Sequence, residues 1–325
     1  MGTVILGTGS CLPKREMTNL ELESIVETND EWIRSRTGIE SRRIGGKDEK
    51  TYQLAANAAR KALDMSGVEA KELDLLILGT VSSHMLMPSS ACFVQTEIGA
   101  HNAFAYDINA ACSGFLYGLD MGDRYIRTDT KSKVLVIGAE TLSSRLNWQD
   151  RNTCILFGDG AGAAVLGHTE QSERRILGTN HFSDGRLWDL LYMHNSPSKN
   201  PDLMVDDNPG VHIVMEGKEV FKHAVKAMED AILGLFEKTG LTMADVDVMI
   251  PHQANIRILN NLLERLEVPR EKVMLNVMKY GNTSAASVPI ALDEANRADR
   301  IKPGNTVLFC AFGGGFTWGA TLLRW

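Results

Sequence analysis

Residues 157–167 read FGDGAGAAVLG and residues 312–322 read FGGGFTWGATL, so a glycine-rich stretch occurs twice in similar form. A second pair lies upstream of each copy, since KVLVIG at 133–138 is matched by NTVLFC at 305–310. The two pairs of similar stretches follow the same order in both parts of the chain, and the two copies of each pair lie at a similar separation in sequence. This indicates one β/α unit used twice rather than a solenoid of short repeats. We therefore predict a chain built from two duplicated halves.

The apolar pattern within each half predicts alternating helices and strands. Leu54 and Ala58 belong to a stripe at helical spacing. Residues 134–137 are apolar throughout, which is typical of a strand covered on both faces. Alternation of this kind gives α/β layers. Two such halves, residues 1–170 and 171–325, predict a five-layer αβαβα sandwich with the active site where the halves meet.

The composition is that of an ordinary globular protein. The 325 residues are 44% hydrophobic and 23% charged, and the net charge of −7 gives no overall basic field for nucleic acid. No apolar run approaches the roughly 20 residues that span a bilayer, and the N-terminus lacks the features of a secretory signal. We expect a cytoplasmic protein whose partners are neither nucleic acid nor membrane.

The five cysteines are scattered, and Cys112 differs from the others in its setting. Their odd number and the absence of CxxC spacing argue against a disulfide framework and a metal site. Cys112 lies among small residues where a strand-like run meets a helical stretch. A helix N-terminus lowers the pKa of a cysteine, which suits a thioester-forming nucleophile. From the residues alone, a buried structural cysteine is an equally good interpretation.

Three further motifs begin where a predicted strand ends. His252, in VMIPHQAN at 248–255, starts an amphipathic helix whose N-terminus favours a neutral, hydrogen-bonding imidazole. Asn282, in GNTSAAS, takes nearly the position in the second half that Cys112 takes in the first. Glycines 313–315 allow a close backbone approach and offer an N–H for an oxyanion hole. Taken singly, these motifs also fit a loop histidine, an N-cap asparagine and a tight hairpin.

Together the motifs resemble those of the β-ketoacyl-acyl carrier protein synthase III family, the initiating condensing enzymes of type II fatty acid synthesis. The matching pieces run along the whole chain: GTGSCLP, NDEWIRSRTGI, DINAACSGF, FGDGAGAAVL, MEGKEVF, PHQANIRI, YGNTSAAS and AFGGGFTWG. The resemblance implies a thiolase-like fold and a homodimeric acyltransferase. Such an enzyme condenses acyl-CoA with malonyl-acyl carrier protein and releases CO2. It needs neither a metal nor an organic cofactor, because decarboxylation drives the reaction.

The resemblance also implies roles for individual residues. Cys112 would take the acyl group from acyl-CoA, and the backbone N–H groups of Cys112 and Gly314 would form the oxyanion hole. His252 and Asn282 would bond the malonyl thioester oxygen. Two neutral donors in a dry site stabilise the enolate that forms as CO2 leaves.

Substrate contacts are implied in the same way. Trp32 would stack on the adenine of coenzyme A, while Arg36 and Arg151 would hold its phosphates. The full set of implied coenzyme A and pantetheine contacts is Trp32, Arg36, Arg151, Met215, Gly217, Phe221, Ala254 and Asn255. The implied docking contacts for the acidic carrier protein are Gln253, Ala254, Asn255, Ile256 and Arg257.

Three departures from the family pattern concern the acyl chain. Met87 stands where many members close the acyl pocket with a phenylalanine that reaches across the dimer. A slimmer, more adaptable methionine predicts longer or branched primers. The segment 193–212 is a longer surface loop than is usual, and Tyr280 replaces a frequent histidine. The preferred primer therefore stays open.

Rival functions differ in how well they fit these residues. A related condensing enzyme of secondary metabolism, with a non-acetyl primer, has the same fold and motifs and stays an alternative. A non-decarboxylating thiolase is disfavoured because Phe312 stands where that family carries a second cysteine. An NAD-dependent oxidoreductase is disfavoured because Gly7 and Gly9 begin a GxGxxG pattern that Leu12 breaks.

Overall fold

The computed structural model describes residues 2–171, 173–195 and 210–325. Its strands are β1 Gly2–Cys11, β2 Arg15–Thr18, β3 Ser41–Ile44, β4 Leu75–Gly79, β5 Phe104–Ile108, β6 Val134–Thr141, β7 Asp159–Thr169, β8 Ile176–Ser183, β9 Leu191–Met193, β10 Ile213–Met215, β11 Val248–Pro251, β12 Thr306–Gly313 and β13 Thr317–Arg324. Its α-helices are α1 Asn19–Glu23, α2 Asp30–Thr37, α3 Thr51–Ser66, α4 Ser90–Ile98, α5 Gly114–Thr128, α6 Arg151–Cys154, α7 Gly217–Thr239, α8 Ile256–Arg265, α9 Val277–Tyr280 and α10 Ser287–Arg297.

Two main sheets organise these elements. The first has the order β1-β7-β6-β4-β5, in which β4 runs parallel to both β5 and β6 while β7 is antiparallel to its two neighbours. The second has the order β11-β12-β13-β8, with β11 and β12 parallel and the other pairs antiparallel. Small two-stranded sheets pair β2 with β3 and β9 with β10.

The helices complete five layers. Helices α3 and α4 cover the outer face of the first sheet, α5 and α10 lie between the sheets, and α7 with α8 covers the outer face of the second. Strand β6 is buried along nearly its whole length because helices lie on both of its faces. The predicted αβαβα sandwich of an α/β protein is confirmed. All strands of the first sheet lie between residues 2 and 169 and all strands of the second between 176 and 324. The division of the chain into two halves stays a prediction.

Two glycines let irregular segments lie directly on the first sheet. A Cβ at Gly79, the last residue of β4, would stand 2.8 Å from the backbone carbon of Gly114. A Cβ at Gly138 in β6 would stand 2.1 Å from the carbonyl oxygen of Ala285. The turns that precede α5 and α10 therefore approach adjacent strands more closely than any side chain would allow.

Most of the loop predicted at 193–212 lies outside the described residues. On either side of it, β9 and β10 pair as antiparallel strands, with Met193 opposite Ile213. Within the described ranges, no helix is long and apolar enough to cross a membrane.

Candidate active site

Cys112 lies on a 3-10 turn, Ala111–Ser113, between the end of β5 and the start of α5. Its side chain is buried and lines a cavity of about 290 Å³. Leu142, Phe157 and Ile213 supply much of the apolar wall of that cavity. An apolar cavity that opens on a sulfur atom suits an acyl chain attached to that sulfur.

The expected low pKa of the Cys112 thiol is wrong for this structure. Burial raises the pKa of the thiol to about 12, and the nearby Glu140 carboxyl acts in the same direction. A hydrogen bond with the Ser284 side chain acts in the opposite direction and is outweighed. Burial in a low-dielectric site disfavours the thiolate more than the helix end favours it. The sulfur is therefore protonated before substrate arrives.

His252 follows β11 and is buried, but it does not begin a helix. Helix α8 starts at Ile256, and the Asn255 side chain caps it by accepting from the Arg257 N–H at 2.8 Å. The expected helix start at His252 is therefore wrong by four residues. Burial, not a helix dipole, lowers the pKa of His252 to about 3. The imidazole is neutral at physiological pH, as predicted, for a different physical reason.

The hydrogen bonds of His252 leave one ring nitrogen for a ligand. Nδ1 lies 2.6 Å from Ser287 Oγ, and the backbone N–H donates to the Cys310 carbonyl at 2.7 Å. The N–H of Gln253 donates to Ser287 Oγ at 3.4 Å. We assign the Ser287 proton to the bond with Nδ1; in this tautomer Nε2 carries the imidazole hydrogen and is a donor.

Asn282 is held by both its backbone and its side-chain oxygen. Its N–H donates to the Leu156 carbonyl at 2.8 Å, and its own carbonyl accepts from the Gly158 N–H at 3.0 Å. Its Oδ1 accepts from the Ser284 N–H at 2.8 Å. Because the side-chain oxygen is taken in this way, the side-chain nitrogen is left as a donor for substrate.

The turn that carries Cys112 and the turn that follows Asn282 have similar backbones, but they align in a different register from the one expected. The turns Ala111–Ser113 and Ser284–Ala286 each begin with a positive φ, 45° at Ala111 and 49° at Ser284, and each leads into a helix. Alignment of these turns pairs Cys112 with Ala285, and Asn282 with Asn109. The expected equivalence of Asn282 and Cys112 is therefore off by three residues.

The glycine-rich segment at the end of β12 lies against the nucleophile. A Cβ at Gly313 would stand 2.5 Å from the Cys112 backbone nitrogen, and Gly314 lines the cavity beside Cys112. The structure thus brings the expected oxyanion-hole residues together. His252 and Asn282 do not line this cavity. Asn282 Oδ1 accepts from the N–H of Ser284, which does line it, whereas His252 bonds Ser287, three residues further along the chain.

Several expected substrate contacts cluster at an exposed rim. The guanidinium of Arg151 lies 4.6 Å from the centre of the Trp32 ring, and that of Arg257 lies 5.9 Å from the Phe221 ring. Arg36, Arg151 and Arg257 are exposed, and none forms an ion pair with another described residue. Met215 ends β10, Gly217 begins α7, and Ala254 is half-buried beside Asn255. The rim offers exposed cationic groups, not neutralised by a described carboxylate, to a phosphate or an acidic partner.

Two of the expected contacts are placed elsewhere. Gln253 is buried, and its side chain bonds the Pro251 carbonyl at 2.7 Å and the Asn276 N–H at 2.9 Å. The expected docking contact at Gln253 is wrong, because this side chain cannot reach a partner. Met87 is 85% exposed and does not line the cavity within one chain.

Sequence reasoning missed several residues of the site. Ser284 and Ser287 stand inside a motif that was recognised only for its asparagine. Glu140 is the last residue but one of strand β6, and a charged residue after an apolar run is the one sequence signal for it. Trp188 and Tyr192 line the cavity with no signal in their local pattern. Within the described ranges, no group of three or more potential metal ligands occurs.

Comparison with known proteins establishes the family. The model described as 3-Oxoacyl-[acyl-carrier-protein (ACP)] synthase III matches residues 106–185, and its C-terminal counterpart matches residues 236–325. The β-ketoacyl-[acyl-carrier-protein] synthase III of Desulfotalea psychrophila is 58% identical over 325 residues and is covered completely, as is this chain. The chain belongs to the 3-oxoacyl-[acyl-carrier-protein] synthase III family. The predicted family and enzyme class, a condensing acyltransferase, are confirmed.

Solved structures of synthase III proteins agree with this assignment. The crystal structure of the Aquifex aeolicus synthase III is 48% identical, with a TM-score of 0.93 and complete coverage of both chains. The crystal structure of the priming β-ketosynthase of the R1128 polyketide pathway is 36% identical, with a TM-score of 0.91. The match covers 99% of this chain and 96% of that enzyme's chain. The thiolase-like fold expected of a synthase III is therefore confirmed.

Proposed function

We propose that the chain condenses an acyl-CoA primer with malonyl-acyl carrier protein, releases CO2, and so initiates fatty acid biosynthesis. The observation that carries this proposal is the position of Cys112. Its sulfur lies at an apolar cavity with Gly314 beside it. The two neutral donors bond the adjoining segment 284–287, Asn282 at Ser284, which lines the cavity, and His252 at Ser287. The 58% identical relative is named for the same activity.

The first half-reaction is acyl transfer to Cys112. The sulfur attacks the thioester carbonyl of acyl-CoA, and the backbone N–H groups of Cys112 and Gly314 stabilise the negative oxygen. Coenzyme A leaves before the second substrate binds, which gives ping-pong kinetics. The cavity then holds the acyl chain of the intermediate.

The second half-reaction is decarboxylation of the malonyl group. His252 Nε2 and the Asn282 side-chain nitrogen donate hydrogen bonds to the malonyl thioester oxygen. The low pKa of His252, about 3, keeps the ring neutral. Negative charge develops on the oxygen as CO2 leaves, so both donors act mainly on the transition state. The carbanion attacks the acyl group on Cys112 and requires neither a metal nor an organic cofactor.

The exposed rim is the entrance for both substrates. Arg36 and Arg151 hold the phosphates of coenzyme A, and Trp32 stacks on the adenine. Pantetheine passes the remaining expected contacts, which are Met215, Gly217, Phe221, Ala254 and Asn255. Ile256 and Arg257 dock the acidic carrier protein, because Arg257 is exposed and forms no ion pair with another described residue.

We further propose a cytoplasmic homodimer. Strand β5 is an edge of the first sheet, with no further strand beside it among the described residues, and Phe104 on it is exposed. The nearby tip at 85–87 exposes three consecutive apolar side chains. A bare edge and an apolar tip are both features that a second copy covers. Met87 then reaches the acyl cavity of the partner. Sedimentation as a monomer at micromolar concentration would contradict this arrangement.

The test of the function separates its two half-reactions. Cys112→Ala is expected to abolish labelling of the protein by radioactive acyl-CoA. His252→Ala and Asn282→Ala are expected to be labelled normally but to release no CO2 from malonyl-carrier protein. Full condensing activity in Cys112→Ala would sink the mechanism.

Priming of a secondary pathway is the alternative, supported by the 36% identical polyketide priming enzyme. A panel of acyl-CoA primers decides between them. Use of acetyl or short branched primers favours fatty acid initiation, whereas a strong preference for another acyl group favours the alternative. Use of acetyl-CoA alone would reject the expectation of longer or branched primers drawn from Met87.

A further inference from the structure

Arg42 is a completely buried arginine to which the condensation chemistry assigns no role. It lies on β3, opposite Met17 on β2, and has no exposed surface. Burial lowers the pKa of its guanidinium to about 10, so the group is charged at neutral pH. It forms no ion pair with another residue of the described ranges. A buried charge of this kind is costly unless its hydrogen bonds are satisfied, so its acceptors are the groups that it can hold in place.

The hydrogen bonds of the Arg42 guanidinium join three segments of the chain. Nη2 donates to the Ile155 carbonyl at 2.6 Å. Nη1 donates to Asn19 Oδ1 at 2.8 Å and, at the longer distance of 3.4 Å, to the Met17 carbonyl. Hydrogen bonds from a charged donor are about twice as strong as those between neutral groups. The guanidinium therefore anchors the backbone at Ile155, immediately before the segment 156–158.

The segment 156–158 in turn holds the backbone of Asn282. The Asn282 N–H donates to the Leu156 carbonyl at 2.8 Å, and the Gly158 N–H donates to the Asn282 carbonyl at 3.0 Å. These two bonds form a parallel bridge between Phe157 and Asn282. The bridge fixes the backbone from which the Asn282 side chain extends, so a shift of the segment 156–158 would move the side-chain amide.

The stem of the Arg42 side chain packs against both sides of this bridge. A Cβ at Gly158 would stand 3.1 Å from the Arg42 Cβ, and a Cβ at Gly281 would stand 3.5 Å from it. The hydroxyl of the preceding residue, Ser41, donates to the Lys279 carbonyl at 3.0 Å. The segment 41–42 is thus in contact with the chain on either side of the bridge.

The turn that carries Cys112 is held by other bonds. The Ser113 hydroxyl donates to the Thr317 carbonyl at 3.1 Å, and the Thr317 hydroxyl donates to the Ala110 carbonyl at 2.7 Å. Arg42 takes part in neither bond. Acyl transfer to Cys112 should therefore not depend on Arg42.

We propose that Arg42 is a positioning residue for decarboxylation, an inference that rests on the proposed condensing function. The guanidinium holds Ile155, the segment 156–158 holds the backbone of Asn282, and the Asn282 side-chain nitrogen donates to the malonyl thioester oxygen. A donor displaced by about 1 Å can cost about 100-fold in rate. Because this donor acts mainly on the transition state, the loss should fall on kcat and leave the KM for malonyl-carrier protein nearly unchanged.

The test compares the two half-reactions in Arg42→Lys. Lysine keeps the charge but replaces the planar fork by a single ammonium, which cannot reproduce the same set of bonds. The kcat for CO2 release from malonyl-carrier protein is expected to fall about 10- to 100-fold, with the KM within about twofold of the wild type. Labelling of Cys112 should keep its rate, measured with the shortest acyl-CoA that the wild-type protein accepts so that the Phe157 wall of the cavity has little influence.

Two further variants accompany this one. Asn19→Ala removes the acceptor of Arg42 Nη1 and leaves the arginine in place, so it should lower CO2 release by about 2- to 10-fold and spare acyl transfer. If Arg42→Lys does not fold, Asn19→Ala decides the question. Arg174→Lys is the matched control, because Arg174 also donates to a backbone carbonyl, that of Ile5 at 3.2 Å. Ile5 pairs with Leu166, near the end of β7 that is remote from Gly158, so both half-reactions should stay at wild-type rates.

Hydrogen exchange followed by mass spectrometry separates positioning from a general loss of stability. In Arg42→Lys, amide exchange should become about tenfold faster in the segments 155–158 and 280–284. Exchange in the segment 110–116, which contains Cys112, should stay at the wild-type rate. A merely destabilised protein would exchange faster in all three segments.

Three results would overturn the positioning role: wild-type CO2 release in folded Arg42→Lys, equal losses in both half-reactions, or faster exchange throughout the protein. If only Asn19→Ala folds, unchanged CO2 release or equal losses in that variant would overturn it as well. A wild-type protein that takes no acyl label and releases no CO2 from malonyl-carrier protein would instead count against the condensing function itself. The two failures are therefore distinguishable.

Discussion

Ser287→Ala tests how His252 is held for decarboxylation. In the wild type, Ser287 Oγ lies 2.6 Å from His252 Nδ1, and both residues are buried. The alanine removes this hydrogen bond and leaves a buried ring nitrogen without its partner. The Nδ1–H tautomer then becomes accessible, and in that tautomer Nε2 accepts a hydrogen bond instead of donating one.

The size of the effect follows from the energy of one buried hydrogen bond. Leaving a buried polar group without its partner costs about 1–3 kcal/mol. A loss of this size in the transition state lowers a rate about 5- to 150-fold, at 1.36 kcal/mol for each factor of ten. The loss should fall on decarboxylation, because we propose that His252 donates to the malonyl group rather than to the acyl-CoA carbonyl. Acyl transfer to Cys112 should keep its rate.

The assay follows both half-reactions with the same protein preparation. Acyl transfer is measured by labelling of Cys112, and decarboxylation by CO2 release from malonyl-carrier protein. Ser132→Ala is the matched control, because Ser132 is also buried and bonds Asp129 at 3.0 Å in the turn after α5. The two variants should lose similar thermal stability, while only Ser287→Ala loses decarboxylation. Wild-type CO2 release in Ser287→Ala, or equal slowing of both half-reactions, would refute the reasoning.

Two further outcomes are expected. Arg257→Glu should raise the KM for malonyl-carrier protein about tenfold or more through like-charge repulsion and leave acyl transfer from CoA intact. Lys131→Glu, the same charge change beyond the far end of α5, should alter neither, and equal losses in both would argue against docking at Arg257. The low pKa of buried His252 predicts that stability falls as the pH decreases from 6.5 toward 3, because the unfolded histidine takes up a proton that the folded one refuses. Denaturant titrations should show that the free energy of unfolding falls by about 2 kcal/mol between pH 6.5 and 5. The fall should be smaller in His252→Gln. The same pH dependence in both proteins would contradict the assignment of this effect to His252.

The sequence by itself determined the fold class and singled out the residues that we propose as catalytic. Repeated glycine-rich stretches and alternating apolar patterns predicted the αβαβα layers, because side-chain periodicity reflects which face of an element is buried. Cys112, His252 and Asn282 stood out because each follows a predicted strand and lies among distinctive neighbours. Side-chain periodicity and the neighbours of a residue along the chain are local properties, so they can be read from the sequence directly.

The tertiary structure decided the properties that depend on surroundings. The thiol pKa of Cys112 rises instead of falling, because burial outweighs the helix end, and a pattern of small residues does not reveal that burial. Gln253 lies inside the protein although its neighbour Arg257 is exposed, since the buried backbone of the turn at 276–277 bonds its side chain. Ser287 and His252 meet only where the start of α10 lies against the segment that follows β11. Contacts between distant parts of the chain set pKa values and hydrogen-bond partners, and no local spacing records them.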